Sequence, residues 1–265
     1  MNINSHIQLP NLILQHFRDE SDPEKKVWYL DIHSGEILRK SAKRLGTSKG
    51  YYSEIGEEFW AQNIESPLGE LNAKIIAFCK GEAETIDVGS EDIVLAKQYI
   101  KSAAVRSSLA YRAMKEESFA ACLFSEQATH DMLSFFGMRP EPRFDQQFED
   151  LTLTIIANRT EHHLVVPRNC YYCVSHWNVR NFVAPISPQC AILLLPIEHL
   201  QLADNGYAVI DDPAQVDIMN VLALKYECMF NADFVASDRR TELELLQQFR
   251  RENLAVLEAM KIGLT

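Results

Sequence analysis

The sequence has 265 residues, 47% of them hydrophobic and 24% charged, which is enough to bury one large hydrophobic core or two small ones. Its 26 Lys and Arg residues stand against 37 Asp and Glu residues, and the formal net charge of −11 argues against a general nucleic-acid-binding surface. The longest apolar run, residues 191–197, is interrupted by Pro196 and is far shorter than the ~20 residues of a membrane span. With six cysteines and no secretory signal at its start, the sequence predicts a cytoplasmic protein with reduced thiols. No repeat or linker interrupts it, so we expect a single globular domain over residues 1–265.

The N-terminal part predicts a short helix followed by a β-hairpin. Pro10 occupies a first helical position, and Ile13 and Phe17 follow at a four-residue spacing that is typical of one helix face. Residues 27–32 have the composition of a strand, and a turn rich in polar residues leads into a second strand at residues 37–39.

The middle of the sequence predicts helices. Ser66 and Pro67 have the pattern of an N-cap and a first helical residue, and apolar residues then recur at three- and four-residue spacing as far as Phe78. Residues 91–114 and 118–136 continue the helical pattern, until one Gly and two Pro residues end it.

The pattern changes to that of strands after residue 150. Residues 151–157, 163–166, 171–175 and 190–195 are short segments rich in β-branched or aromatic side chains. They predict a small antiparallel sheet.

The C-terminal part returns to helices. Asp212 and Pro213 begin a helix in which apolar residues recur as far as Phe230, and residues 241–260 form a last helix. Because strands are segregated from helices, the predicted fold class is α+β: mainly helical, with an N-terminal β-hairpin and a small antiparallel sheet from residues 150–195.

Four segments of the sequence, in order, carry a likeness to one family. They are the stretch from His6 through PNLILQHF to VWYLDIHSGEI, the helical YIKSAAVRS, the pair LVVPRNC and PISPQCAILLLP, and the C-terminal IMNVLALKYECMF. The ordered set resembles the domain-of-unknown-function family 4238, which is known mainly from bacterial genomes. The resemblance implies a bacterial protein and supplies no reaction.

One segment departs from the pattern of that family. Where the family shows Ser-Asp-Asn-Pro, this sequence reads Pro167, Arg168, Asn169 and Cys170, so an acidic residue is replaced by a basic one. If the acidic residue carried chemistry or held a metal, this chain has lost it.

Arg106 is the most informative single position, because it lies on the apolar face of the predicted helix 91–114. A buried guanidinium needs a carboxylate, a set of carbonyl oxygens or an anionic ligand. We expect Arg106 to reach Asn220 or Glu227, which lie seven residues apart beside the apolar stripe of a C-terminal helix. Both a structural ion pair and a site for an anionic substrate fit this pattern.

Two further residues are candidates for acid–base chemistry. His6 precedes the first helix and titrates near neutrality, although a histidine near an N-terminus is more often a surface or packing residue. Glu65 is an acidic candidate of the same quality, although a carboxylate before an N-cap is expected to face water.

The cysteine pattern predicts no metal site. Cys170 and Cys173 form a CxxC pair with His176 nearby, which is a zinc-ligand spacing. We interpret these thiols as buried apolar groups, because strand residues three apart face opposite sides and no glycine forms the tight turn of a zinc knuckle. The adjacent His162 and His163 are interpreted as residues on the surface of a loop.

Two functions remain open. The first is a cytoplasmic enzyme, a hydrolase or nuclease acting in phage defence, with His6, Arg106, Asn220 and Glu227 as catalytic residues. The second is a non-catalytic interaction or regulatory protein whose ancestral site has degenerated, in which the apolar stripe of the last helix contacts a partner. The cofactor is unknown, since no phosphate-binding glycine loop, zinc-protease or esterase motif occurs. The partner is also left open: a protein, an anionic small molecule or a nucleic acid.

Overall fold

The computed structural model describes residues 4–6, 9–49, 51–106, 127–131, 148–176, 179–198 and 207–261. Within these ranges, only the backbone is described for residues 4–6, 105, 175–176 and 179–180.

Two larger sheets and one small ribbon contain the eleven strands of the described residues. The five-stranded sheet has the order β10 (Tyr207–Ile210), β5 (Leu151–Asn158), β9 (Cys190–Pro196), β8 (Val179–Ser187) and β7 (Tyr172–His176). The four-stranded sheet has the order β3 (Ile37–Ser41), β2 (Lys26–Asp31), β11 (Phe234–Ser237) and β6 (Val166–Pro167). The ribbon pairs β1 (Asn4–His6) with β4 (Thr47–Lys49). All neighbouring strands are antiparallel except β10 and β5, which are parallel.

Helices cover both faces of the five-stranded sheet. They are α1 (Asn11–Leu14), α2 (Glu54–Trp60), α3 (Ser66–Cys79), α4 (Ser90–Val105), α5 (Pro213–Met229), α6 (Arg240–Glu252) and α7 (Leu254–Ala259). A 3-10 turn, Gln15–Phe17, follows α1, and a π-helical turn, Ala61–Glu65, joins α2 to α3. Helices α3 and α4 pack on β5 and β9, whereas α5 packs against β7 and β10. The Asp212 side chain caps α5 at the amide of Ala214, which confirms the predicted start of that helix.

The central strands separate two hydrophobic cores. Along β5, Leu153 and Ile155 belong to the core beneath α3 and α4, and Ile156 belongs to the core beneath α5. Along β9, Ile192 belongs to the core beneath α3 and α4, and Ala191 belongs to the core beneath α5. Successive strand side chains point to opposite faces, and because both faces are covered, residues on both sides of these strands are buried.

The predicted mainly helical fold is wrong. The described residues form sheets of five and four strands, and the larger one, with its parallel β10, is neither small nor purely antiparallel. The predicted hairpin strands pair with each other but form no separate N-terminal unit. They are one side of the four-stranded sheet, whose remaining strands come from residues 166–167 and 234–237. The four residues of β11 are all buried, so they show no alternation that could have revealed a strand.

Other boundaries also differ from the predictions. The predicted strand 163–166 is wrong except at Val166. The Asn220 side chain hydrogen-bonds to the main chain at His163 and Val165, and this part of the chain is irregular. The predicted last helix 241–260 is interrupted at Asn253, where α6 ends and α7 begins. Residues 107–114, and residues 118–136 apart from the helical 127–131, lie outside the described residues. No helix within the described ranges is long and apolar enough to cross a membrane.

Candidate active site

A tight turn after β6 lies at the centre of the candidate site. The amide of Cys170 donates to the carbonyl of Pro167 at 3.0 Å, and Cys170 has a φ of +69° although it is not a glycine. A side chain in this left-handed region is strained and persists only where its surroundings fix it. Cys170 is fully buried. This turn is the segment at which the sequence departs from the Ser-Asp-Asn-Pro pattern.

Glu227 of α5 fixes the turn. Its Oε1 accepts hydrogen bonds from the backbone amide of Asn169 at 3.2 Å and from the Asn169 side-chain Nδ2 at 2.9 Å. No residue in the described part of the chain donates a hydrogen bond to its other oxygen, Oε2. Arg168 forms an ion pair with Asp233, with 3.0 Å between Nη1 and Oδ2.

Burial keeps Glu227 protonated at neutral pH. The side chain is 0% exposed, and burial raises the pKa of its carboxyl to about 8, against the opposing effect of the two hydrogen bonds from Asn169. A carboxyl in this state is a neutral acid that can donate its proton.

Other neutral acids surround Cys170. Burial raises the pKa of the Cys170 thiol to about 12, so it is no preformed thiolate nucleophile at neutral pH. The Tyr99 hydroxyl interacts with this thiol, and burial raises the pKa of Tyr99 well above its usual range. The ring centroids of Tyr171 and Tyr226 lie 5.6 Å apart, and both phenols are likewise held neutral by burial, which raises their pKa. These groups can donate hydrogen bonds, and none of them is a base near neutral pH.

Arg106, the C-cap residue of α4, supplies a fixed positive charge. Its side chain is buried, which confirms the inward placement predicted from the sequence. The guanidinium carbon lies 3.7 Å from the ring centroid of Trp60 and 4.5 Å from that of Tyr52, and Nε donates to the Tyr52 hydroxyl at 2.7 Å. Arg106 is also within electrostatic range of Cys170 and Tyr99.

The π-helical turn positions an acidic residue beside this cation. Trp60 and Glu65 are five residues apart, a spacing that the wider turn brings to one side of the helix, and Trp60 Nε1 donates to Glu65 Oε1 at 2.9 Å. The expectation that Glu65 faces water is therefore wrong. Burial raises the pKa of Glu65, and the positive charge of Arg106 opposes that rise.

The structure places the four predicted catalytic residues at three locations. Arg106 and Glu227 each lie within electrostatic range of Cys170, and these three buried residues are called the buried cluster. Asn220 lies two helical turns before Glu227, accepts from the amide of Val165 at 2.9 Å and donates to the carbonyl of His163 at 2.8 Å. The Asn220 side chain therefore fixes the main chain at His163 and Val165.

His6 is in β1, where it pairs in register with Thr47 of β4. Its side chain lies outside the described residues, so its catalytic role stays a prediction.

The CxxC segment and the histidine pair occupy different surroundings. Cys170 is in the turn, Cys173 is paired with Phe182 in the sheet, and the His176 side chain lies outside the described residues. His162 Nδ1 is 2.8 Å from an oxygen of Asp217, and His163 Nδ1 is 2.8 Å from an oxygen of Asp238. His163 is buried, so the predicted surface position is wrong for this residue. Among the described residues, no three or more His, Cys, Asp or Glu side chains form a metal-binding group.

A groove of about 300 Å³ lies between α5 and α6. Val221, Leu246 and Phe249 contribute its apolar surface, and Asn220 and Glu242 contribute polar groups. Of the predicted apolar stripe on the last helix, Leu246 and Leu257 are buried, whereas Val256 and Met260 are exposed.

Sequence reasoning missed most residues that contact Arg106 and Glu227. Tyr52 and Trp60 precede Arg106 by more than forty residues, and Asn169 precedes Glu227 by 58 residues. The adjacent aromatic residues Tyr51 and Tyr52 and the unusual Pro-Arg-Asn-Cys segment were the available signals. Neither signal specifies a partner.

No family model matches this chain, and neither the curated proteins nor the solved structures contain a match. The likeness to family 4238 therefore stays a resemblance of ordered segments.

Proposed function

We propose that this protein is a hydrolase that acts on a small anionic substrate, with Glu227 as its general acid and Arg106 as the charge that attracts the anion. The observation that carries the proposal is the carboxyl of Glu227. It is fully buried, protonated at neutral pH, held through one oxygen by Asn169, and without a described hydrogen-bond partner at Oε2. Ionisable groups perturbed in this way are concentrated at functional sites.

The chemistry of the cluster favours an anion over a cation. Glu227, Cys170 and Tyr99 are all neutral hydrogen-bond donors, and the nearby guanidinium is positive. Preorganised donors and a fixed positive charge stabilise negative charge as it develops, most strongly where water is excluded.

In the proposed reaction, water attacks a phosphoryl or acyl centre of the substrate. The bond to the leaving oxygen breaks, and Glu227 transfers its proton to that oxygen. The attacking water then returns a proton to the Glu227 carboxylate, which restores the acid. General acid catalysis of this kind contributes about 10²- to 10⁴-fold to a rate.

The net charge of −11 favours a small phosphoester or nucleotide over a long nucleic acid. The nuclease activity and the role in phage defence are untested and stay predictions.

The test is hydrolysis by the purified protein of nucleotides, simple phosphoesters and short RNA and DNA, each with and without divalent metal ions. Glu227→Gln keeps the shape and the oxygen that accepts from Asn169 but removes the acidic proton, so we expect a loss of at least about 100-fold in kcat. Activity of the wild-type protein should fall as the pH rises through about 8, where Glu227 ionises.

The matched control is Glu252→Gln, at an exposed carboxylate of α6, which should keep wild-type activity. Equal activity in wild-type protein and Glu227→Gln would refute the role of Glu227.

The second candidate function is a non-catalytic interaction protein. The groove between α5 and α6 favours it, together with the exposed apolar residues Ile218, Leu245 and Val256 near the same helices. This function predicts that the wild-type protein hydrolyses none of the compounds at any pH.

A further inference from the structure

The groove between α5 and α6 presents apolar side chains to solvent. Val221 of α5 and Leu245 and Phe249 of α6 contribute its apolar walls. Leu245 is 49% exposed, and Ile218, which precedes Val221 by three residues on the same side of α5, is 60% exposed. Apolar surface that adjoins a groove and is open to solvent is typical of a site at which a protein partner binds.

The groove is also acidic. Asp217, Glu242 and Glu252 line it, and none of its lining residues in the described part of the chain is Lys or Arg. Glu252 is exposed, and Asp217 is half-buried and pairs with His162 through one of its two oxygens. The groove therefore combines an apolar floor with carboxylates that solvent reaches at its rim.

The arginines of α6 are directed to other parts of the fold. Arg240 lies 5.6 Å from the ring centroid of Trp28, and Arg250 donates to the carbonyl of Ile32 at 2.9 Å. Because each residue turns a helix by about 100°, Arg251 lies on the side of α6 away from the groove. These cations leave the carboxylates of the groove available to an external positive charge.

One cation of the chain itself already packs against the groove. Lys225 Nζ lies 5.4 Å from the ring centroid of Phe249, at a distance where the face of an aromatic ring attracts an ammonium group. The aromatic wall and the acidic rim thus favour the same kind of ligand, an apolar surface that carries positive charges.

We propose that the groove binds an amphipathic helix of a partner protein, whose apolar side chains enter the groove and whose Lys or Arg residues lie opposite Asp217 and Glu252. The proposal rests on the second candidate function, an interaction role, and names the chemistry of the partner. It is separate from hydrolysis at Glu227, which does not line the groove.

A helix fits the groove better than an extended segment does. Both walls are helices, so they offer no strand edge to which an extended segment could hydrogen-bond. A groove between two helices instead accepts side chains that recur at three- and four-residue spacing along one face of a helix.

Charge separates this partner from other occupants. A second copy of the chain carries the same net charge of −11 and would bring carboxylates against carboxylates. Nucleic acids and anionic membrane surfaces are repelled for the same reason. A basic helix is attracted.

The experiment measures fluorescence anisotropy of a labelled peptide of about 18 residues, made of Leu and Lys with all Leu on one helical face, as full-length protein is added. Two comparison peptides have the same composition in scrambled order, or Glu in place of Lys. We expect the Leu/Lys helix to bind at least about 10-fold more tightly than either, and its binding to weaken as the salt concentration rises.

Two variants locate the binding surface. Leu245→Ser removes an apolar wall, and Glu252→Lys reverses a charge at the rim, so each should weaken binding by about 10-fold or more. The matched controls are Val94→Ser and Glu91→Lys, at exposed positions of α4, which should bind as the wild-type protein does. Circular dichroism checks that all four variants are folded.

The assay contains no substrate, so its outcome is distinct from the loss of hydrolysis in Glu227→Gln. Equal binding of the three peptides, wild-type affinity in Leu245→Ser or Glu252→Lys, or no binding up to about 100 μM protein would overturn the proposal. Sedimentation tests the second copy as occupant: a dimer that Leu245→Ser dissociates would assign the groove to self-association and overturn it as well.

Discussion

Glu227 shows how position determines the protonation state of a side chain. A glutamate on the exposed face of α5 would be ionised at neutral pH, whereas this one is enclosed between the helix and the turn at Asn169. Two hydrogen bonds to one oxygen do not compensate for burial, so the pKa of the carboxyl rises to about 8.

The raised pKa predicts how stability depends on pH. The folded protein keeps the Glu227 proton up to about pH 8, whereas the unfolded chain releases it near 4.5, so unfolding releases a proton between these values. The stabilisation is complete below pH 4.5 and is lost progressively as the pH rises to about 8.

Glu227→Gln should remove this dependence. We expect the free energy of unfolding of the variant to exceed that of the wild-type protein by an amount that grows by up to ~1.4 kcal/mol per pH unit across the window. Urea unfolding of both proteins at several pH values measures it. A difference that does not vary with pH would contradict a protonated Glu227.

Two aromatic faces and a hydroxyl contact the guanidinium of Arg106. Replacing it with Leu removes the contacts with Trp60 and Tyr52 and leaves Glu65 without its nearby positive charge. We expect Arg106→Leu to lower the free energy of unfolding by about 2–4 kcal/mol.

The control for Arg106→Leu is Arg240→Leu, at an exposed arginine paired with Glu244, which should change stability by less than ~1 kcal/mol. Chemical denaturation measures both variants. A stable Arg106→Leu protein that has lost substrate binding would show that the charge serves the ligand rather than the fold.

At the scale of elements, α5 connects the buried cluster with the loop before β6. Asn220 holds the main chain at His163 and Val165, and two turns later Glu227 holds the main chain at Asn169. Two polar residues that lie seven apart on one face of α5 therefore fix both ends of the segment 163–169. Within this segment, only the two residues of β6 form a strand.

Asn220→Ala should loosen this connection. It leaves a buried amide and a buried carbonyl without their partner, so we expect a loss of about 2–4 kcal/mol in the free energy of unfolding. Gln215→Ala, at an exposed position of the same helix, should change stability by less than ~0.5 kcal/mol. A catalytic role for Asn220 would appear instead as lost activity at unchanged stability.

For the whole molecule, helices cover both faces of the five-stranded sheet. This cover explains why the sequence predicted too little strand. Along β5, every residue except Thr152 is buried, so the alternation of a half-exposed strand is absent. Helix α5, in contrast, has both a cap and a periodic apolar face, and its start was predicted correctly.

The sequence by itself determined features that depend on neighbouring residues: the start of α5, the two strands β2 and β3, and the inward side of the helix that carries Arg106. Only the tertiary structure decided which distant residues meet. It joined β11 to β2, placed Arg106 between Tyr52 and Trp60, and bound Glu227 to Asn169. The physical reason is that capping and periodicity act within a few residues, whereas strand pairing and the neutralisation of buried charge depend on packing between segments far apart in the chain.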